Sequence, residues 1–265
     1  MAGREFEGPT MKLNQVRAVI TGGASGLGNA VAQRLVAAGA QVTLIDVNEA
    51  AGQAAAKALG SSARFQTVDV TKEDAVGAAM TKAQSDMGGL NVAVNCAGIG
   101  WPRRMVNKEG PLPGEIFRKV IEVNLVGTLL VAKSAAGVMV NNTPNDEGER
   151  GVIVMTASVA AFDGQIGQVP YSASKGGIVG MTLPMARDLS ANGVRVMTIA
   201  PGIFKTPMVA ALSQEVQDSL GKQVPFPPRL GRPDEYAALV AHICENTMLN
   251  GECIRLDGAI RMSPK

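Results

Sequence analysis

The sequence predicts a single doubly wound α/β domain, a sheet of about seven parallel strands with helices on both faces. Two observations carry that expectation. Short apolar runs read as strands buried on both faces, and they alternate with longer helical segments in the manner of right-handed βαβ crossovers. The third sign is TGGASGLG at 21–28, a glycine turn between the first apolar run and the first helix.

The elements follow in order. Residues 16–21 form the first strand and 26–38 a helix; 41–45 is the second strand and 49–59 its helix. A third strand at 64–68 precedes a helix over 72–87, and a fourth spans 91–95. One long helix is expected over 114–140, then a strand at 152–157. Pro170 suits the first turn of the next helix, where its missing N–H loses nothing, and that helix runs to about 191. Strands at 194–199 and 253–256 flank a final helix at 234–246. Residues 1–11, with Glu5 and Glu7 and no apolar core, are expected as a flexible extension rather than a signal or transit peptide, with the domain spanning 12–265.

Three irregular stretches interrupt the alternation. Residues 98–113 hold the only tryptophan, Trp101, and 204–232 contain a short helical pattern suited to a lid. Both leave the carboxyl ends of strands, where ligands bind in parallel sheets. The polar stretch 141–151 precedes a strand and is expected as a solvent loop on the opposite side.

Composition narrows the function. Charged residues are 18% of the chain, below the usual ~25%, and 46% are hydrophobic, which fits extensive burial including subunit interfaces. A net charge of +2 gives no reason to expect nucleic acid. No uninterrupted apolar run reaches the ~18–20 residues of a membrane span. Cys96, Cys244 and Cys253 lack C-x-x-C spacing and read as reduced thiols, which suits the cytoplasm, or the mitochondrial matrix of a eukaryotic cell. His242 is the only histidine, so no histidine-based metal site is expected.

Gly22, Gly26 and Gly28 permit a tight turn and close backbone approach to a pyrophosphate at a helix N-terminus, where free N–H groups favour an anion. This is a Rossmann-type dinucleotide arrangement. Asp46 ends the second strand eighteen residues after Gly28, placed to accept hydrogen bonds from an adenine ribose and to repel a 2′-phosphate. The expected cofactor is therefore NAD; the plainer reading of Asp46 is an acid near a helix start. Asp69 and Val70 close the third strand, where the acid would meet the adenine amino group. Asn95, Cys96, Ala97 and Gly98 let backbone pass close to the cofactor, with Cys96 a small buried residue rather than a nucleophile. Pro201, Gly202 and Thr206 follow the sixth strand near the nicotinamide carboxamide.

Tyr171 and Lys175 stand four apart at a helix start, thirteen residues after Ser158. That spacing puts both on one helix face. An ammonium beside a phenol favours the phenolate, and a phenol otherwise titrates near ~10, too high for a base at neutral pH. Alone, Y-x-x-x-K is more often a solvated helix face; Ser158 also reads as a strand-end cap and Asn124 as a helix-interior amide.

Together, the segments 21–28 and 95–98, Asn124, Ser158, Tyr171, Lys175 and Pro201–Gly202 resemble the short-chain dehydrogenase/reductase family from about residue 12 onward. TASVAAFDGQIGQVPYSASKGGIVGMTLPMARDL, RVMTIAPGIFKTP, QVPFPPRLG and IRLDGAIRM are similar to its type 2 3-hydroxyacyl-CoA dehydrogenase group, whereas 98–113 matches less well. The resemblance implies Tyr171 as the base, Ser158 on the substrate oxygen, and Lys175 lowering the tyrosine pKa and holding the nicotinamide ribose. It implies Asn124 holding a water that links Lys175 to solvent. It adds Ser25, Leu27 and Phe204 to the cofactor contacts and Gln168 to the substrate contacts. A homotetramer and NAD-dependent interconversion of 3-hydroxyacyl-CoA and 3-ketoacyl-CoA are the implied assembly and reaction. Arg103, Arg104, Lys205, Lys222 and Arg229 flank the site and could meet a CoA phosphate. The alternatives are a non-CoA secondary alcohol, hydroxysteroid or ketone as substrate, and a nucleotide-binding scaffold without turnover.

Overall fold

Along the chain run β1 (Arg17–Thr21), α1 (Gly26–Ala37), β2 (Gln41–Asp46), α2 (Glu49–Leu59), β3 (Ala63–Thr67), α3 (Glu73–Met87) and β4 (Val92–Asn95). A small hairpin of β5 (Val106–Asn107) and β6 (Gly110–Pro111) follows, then α4 (Gly114–Ile121), α5 (Gly127–Met139) and β7 (Gly151–Thr156). The remainder is α6 (Val169–Asp188), β8 (Val194–Pro201), α7 (Pro207–Ala210), α8 (Gln214–Lys222), α9 (Pro233–Glu245) and β9 (Cys253–Leu256). This is a computed structural model, and it describes residues 11–264. The extension expected at 1–10 lies outside those residues; Met11 itself is buried in the core.

The seven-stranded sheet has the order β3-β2-β1-β4-β7-β8-β9, parallel throughout, as the sequence predicts. Strand order reverses at β1, which pairs with β2 on one side and β4 on the other. Such a reversal opens a crevice beyond the strands' carboxyl ends. Register brings those ends level: Thr21 lies opposite Ile45 and Asn95, Asn95 opposite Met155, and Thr156 opposite Ile199. Alternate strand residues feed two cores. Val19, Ala93 and Ile153 pack with α3, α5 and α6, and Ile20, Val94 and Val154 with α1, α2 and α9.

Three features differ from the sequence expectation. The long helix bends through a π turn at Glu122–Val126 between α4 and α5, which widens the helix where Asn124 sits. The combined helix Gly114–Met139 is long and apolar enough to cross a membrane, yet half of its apolar window is buried, packed against α3 and α6. The stretch 98–113 carries the hairpin, and 204–232 carries both α7 and α8. The stretch 141–151 is not simply a solvent loop. Glu149 is buried and ion-paired at 2.7 Å with buried Arg195, whose guanidinium also reaches the carbonyls of Cys244, Asn246 and Leu249.

Candidate active site

The glycine turn owes its shape to close packing. Gly22 has φ +64°, and a Cβ there would lie 2.9 Å from Ala97 N and the Cys96 carbonyl. A Cβ on Gly28 would lie 2.4 Å from Gly22 O. Ser25 stands at the N-cap of α1 but makes no side-chain capping bond, so the first turn keeps N–H groups for an anion. Gly26 abuts Pro207 and Thr206 from the far side, which brings the turn after β8 to the glycine loop. Leu27 packs partly buried against the α1 core.

Asp46 is drawn to the same place. Its Oδ2 accepts from Ala24 N at 3.2 Å and its Oδ1 from Asn48 N at 3.1 Å, leaving lone pairs for ribose hydroxyls. Asp69 Oδ1 accepts from the Thr71 N–H and hydroxyl; these bonds hold its carboxyl below the usual carboxylate value. Val70 is buried, its side chain against Gly127. Thr21 receives both Cys96 N and Ala97 N, which fixes the chain after β4. Asn95 is buried with neither amide atom hydrogen-bonded. A polar side chain orphaned at the switch point, with the glycine cradle and the open helix N-terminus, fits a dinucleotide. At the end of β8, Gly202 N bonds Leu256 O, and a Cβ on Gly202 would strike Asp257. The Phe204 ring is buried in the core against Gly231.

Ser158, Tyr171 and Lys175 converge beyond β7. Ser158 caps a short turn at Val159–Ala161 through Ala160 N, and its hydroxyl is near enough to the Tyr171 phenol to favour the phenolate. The cap reading of Ser158 holds, and the same hydroxyl sits beside Tyr171. Lys175 is buried; its Nζ lies 5.7 Å from the Tyr171 ring centroid and donates to Thr156 O at 2.8 Å. Burial lowers this ammonium to about 8, opposed by the nearby Cys96. The depressed phenol expected from the lysine is not found. Burial pushes the Tyr171 phenol up, with the Ser158 hydroxyl opposing it, because Lys175 points to a carbonyl rather than to the hydroxyl.

Asn124 is buried at the π turn. Its Oδ1 accepts from Ile99 N at 2.8 Å, and its Nδ2 donates to Ile99 O and Ser174 Oγ. Its main-chain oxygen accepts from the Thr128 hydroxyl. The side chain is thus committed to pinning the turn after β4 against α6. A Cβ on Gly98 would touch both Asn124 and Lys175, so that turn passes directly over the lysine. Gln168, the N-cap of α6, bonds Gln165 through both ends of its amide.

Two residues went unnoticed in the sequence. Thr156 supplies the lysine's acceptor, and its hydroxyl lies 2.7 Å from the Tyr236 hydroxyl and 3.6 Å from Cys96 Sγ. Burial raises the Cys96 thiol, which packs as a small group between Thr156 and Tyr236. Tyr236, fully buried on α9, had one available signal: it is one of only two tyrosines in the chain. A further hollow of about 680 Å³, lined by Leu13, Ala30, Arg34 and Pro233, lies elsewhere in the fold, on the outer helix layer away from Ser158 and Tyr171. His242 is exposed and bonds only Asn246 on its own helix.

A nucleotide crevice at a parallel-sheet switch point, with a phenol, hydroxyl and ammonium at its edge, defines an oxidoreductase of alcohols and carbonyls. The family model described as short chain dehydrogenase matches residues 16–217. The bovine protein named 3-hydroxyacyl-CoA dehydrogenase type-2 is 57% identical over 93% of this chain and 95% of its own length. Ipsdienol dehydrogenase of Ips pini is 35% identical over 92% and 96%. The crystal structure of 3-hydroxyacyl-CoA dehydrogenase type-2 from Mycobacterium avium superposes with a TM-score of 0.90 at 43% identity, covering 94% of this chain and 96% of that one. The chain belongs to the short-chain dehydrogenase family.

Proposed function

We propose that this enzyme interconverts 3-hydroxyacyl-CoA and 3-ketoacyl-CoA with NAD as its cofactor. The observation that carries the reaction type is the convergence of Ser158 and Tyr171 beside buried Lys175, whose Nζ lies 5.7 Å from the Tyr171 ring centroid. NAD, when bound, supplies or accepts the hydride. Gly22, Gly26 and Gly28 cradle its pyrophosphate, Asp46 takes ribose hydroxyls and disfavours a 2′-phosphate, and Asp69 keeps Oδ2 for the adenine amine.

In reduction, the Ser158 hydroxyl donates to the ketone oxygen and Tyr171 gives its proton as that oxygen becomes an alkoxide. In oxidation, the same phenol removes the alcohol proton. The phenol raised by burial suits the reductive direction, since it is protonated at neutral pH. Lys175, near 8, stays largely cationic at neutral pH and supports negative charge at Tyr171 once it turns from Thr156 O.

The thioester reading rests on the similarity to proteins named for that substrate and on a basic rim. Structure trims the rim. Arg103 pairs with Glu109 and Arg229 with Glu235, which leaves exposed Arg104, Lys205 and Lys222 for CoA phosphates. A non-CoA alcohol is the second reading, favoured by the loop 98–113 and by the relative named for ipsdienol. The three free thiols suit a reducing compartment, cytoplasm or mitochondrial matrix, and a homotetramer would cover half-exposed apolar residues such as Leu129 and Phe117.

The test is NADH consumption with acetoacetyl-CoA beside an equal concentration of ethyl acetoacetate. A much higher kcat/KM for the thioester supports CoA recognition. Equal or reversed values remove the CoA reading and leave a general carbonyl pocket.

A further inference from the structure

Between Ser158 and α6, residues 162–168 run along the edge of the site with little apolar anchorage. Phe162 and Ile166 are each 49% exposed, so no core burial holds this segment in place. Polar ties from the end of the chain do. Arg255 on β9 reaches Asp163 at 2.6 Å and Asp257 at 2.7 Å, and its guanidinium carbon lies 5.2 Å from the Phe162 ring centroid. Arg261 adds a contact to the same Asp257 oxygen at 3.2 Å. Further along, Gln165 Nε2 donates to Ser263 O and Ile166 N to Pro264 O, both at 3.0 Å. Gln165 N in turn donates to Gln168 Oε1, and Arg103 N donates to Gly167 O from the opposite side.

The Asp163 and Arg255 side chains are 19% and 21% exposed. An ion pair this enclosed, with a bifurcated arginine fork, is screened by salt far less than a surface pair. The two main-chain-directed bonds to Ser263 and Pro264 fix the segment's height as well as its charge partner. Together these contacts tie the last residues of the chain to the one stretch that joins the two catalytic side chains.

We propose that residues 257–264 form a strap that sets the position of the substrate-site segment 162–168, with Asp163 and Arg255 as positioning residues acting through Gln165 and Gln168. This rests on the reading of Ser158 and Tyr171 as the ketone-reducing site. Among the described residues, none of the strap's hydrogen bonds or ion pairs reaches the glycine turn, Asp46 or Lys175, and on the cofactor side only Asp257 lies close, against Gly202. Its loosening should therefore displace the ketone or its acyl chain while the cofactor stays in place.

Two variants of the full enzyme test it independently. Asp163→Asn removes the ion pair at nearly constant volume, and a chain ending at Arg261 removes the bonds to Ser263 and Pro264 while leaving Arg255 intact. Both are assayed at saturating NADH with the ketone that the unaltered enzyme reduces best. Each variant is expected to raise KM for the ketone about tenfold, with kcat within about twofold of the unaltered value. NADH affinity should be unchanged, and Asp163→Glu should recover part of the KM loss. An unaltered KM in both variants overturns the strap, as does an equal loss of NADH affinity, which would mark general destabilisation. Absence of any ketone turnover by the unaltered enzyme overturns the underlying site reading and the strap with it; normal turnover with unaffected variants overturns the strap alone.

Discussion

The cofactor half and the substrate half of this crevice are built by different means. From β1 to the turn after β4, shape follows from local rules: glycines where a Cβ would collide, an acid at a strand end, a helix start without a side-chain cap. On the substrate side, position depends on partners distant in sequence. Arg255 and Asp163 are 92 residues apart, and Tyr236 and Thr156 are 80. The cofactor half is thus intolerant of added atoms, and the substrate half is sensitive to lost polar ties.

That contrast breaks most sharply at Gly28. Gly28→Ala places a methyl 2.4 Å from Gly22 O, and the overpacking of about 2–3 kcal/mol should weaken NADH binding up to about 100-fold. A fluorescence titration with NADH reading the same affinity as the unaltered enzyme would show that the turn yields. Asp46→Ala removes the acceptor but leaves the turn, so the preference for NAD over NADP should narrow about tenfold. Competitive binding of the two dinucleotides measures it, and an unchanged ratio would release Asp46 from that role.

These two residues are legible in the sequence because their chemistry is written in adjacent residues. Tyr171, Lys175 and Ser158 are legible for a related reason, since helix spacing fixes two of them and the strand end the third. Asn124 is legible as a site residue, but its side-chain partners Ile99 and Ser174 are not, because they become neighbours only after the sheet and α6 assemble. Glu149 looked like part of a solvent loop; nothing in NNTPNDEGERG announces that one of its acids will meet Arg195 inside the protein. Lysine's effect on the phenol was read from spacing alone, which cannot say that the Thr156 carbonyl takes the ammonium first.

Polar ties give the smaller effects. Tyr236→Phe leaves the ring in the core and removes one buried hydroxyl bond, so unfolding free energy should fall by about 1 kcal/mol. Denaturant unfolding checks this, and no loss would mean that Thr156 is satisfied by Cys96. Smallest is an acid effect at Glu235, which clasps Arg229 and the start of α9. The Arg229 hydrogen bond lowers its carboxyl from 4.5 to about 2. A depressed acid stabilises the fold above its ordinary value and loses that contribution as pH falls from 4.5 toward 2. Glu235→Gln should therefore flatten the decline of Tm in that window while lowering Tm at neutral pH. A parallel decline in both proteins would assign acid sensitivity to other carboxyls.

The central claim is that Tyr171 moves the proton between solvent and substrate oxygen. Tyr171→Phe, assayed for NADH-dependent ketone reduction and titrated with NADH in parallel, tests it most directly. The expected result is a fall in kcat of about 10³-fold with NADH affinity nearly unchanged. Turnover within tenfold of the unaltered enzyme would contradict the account.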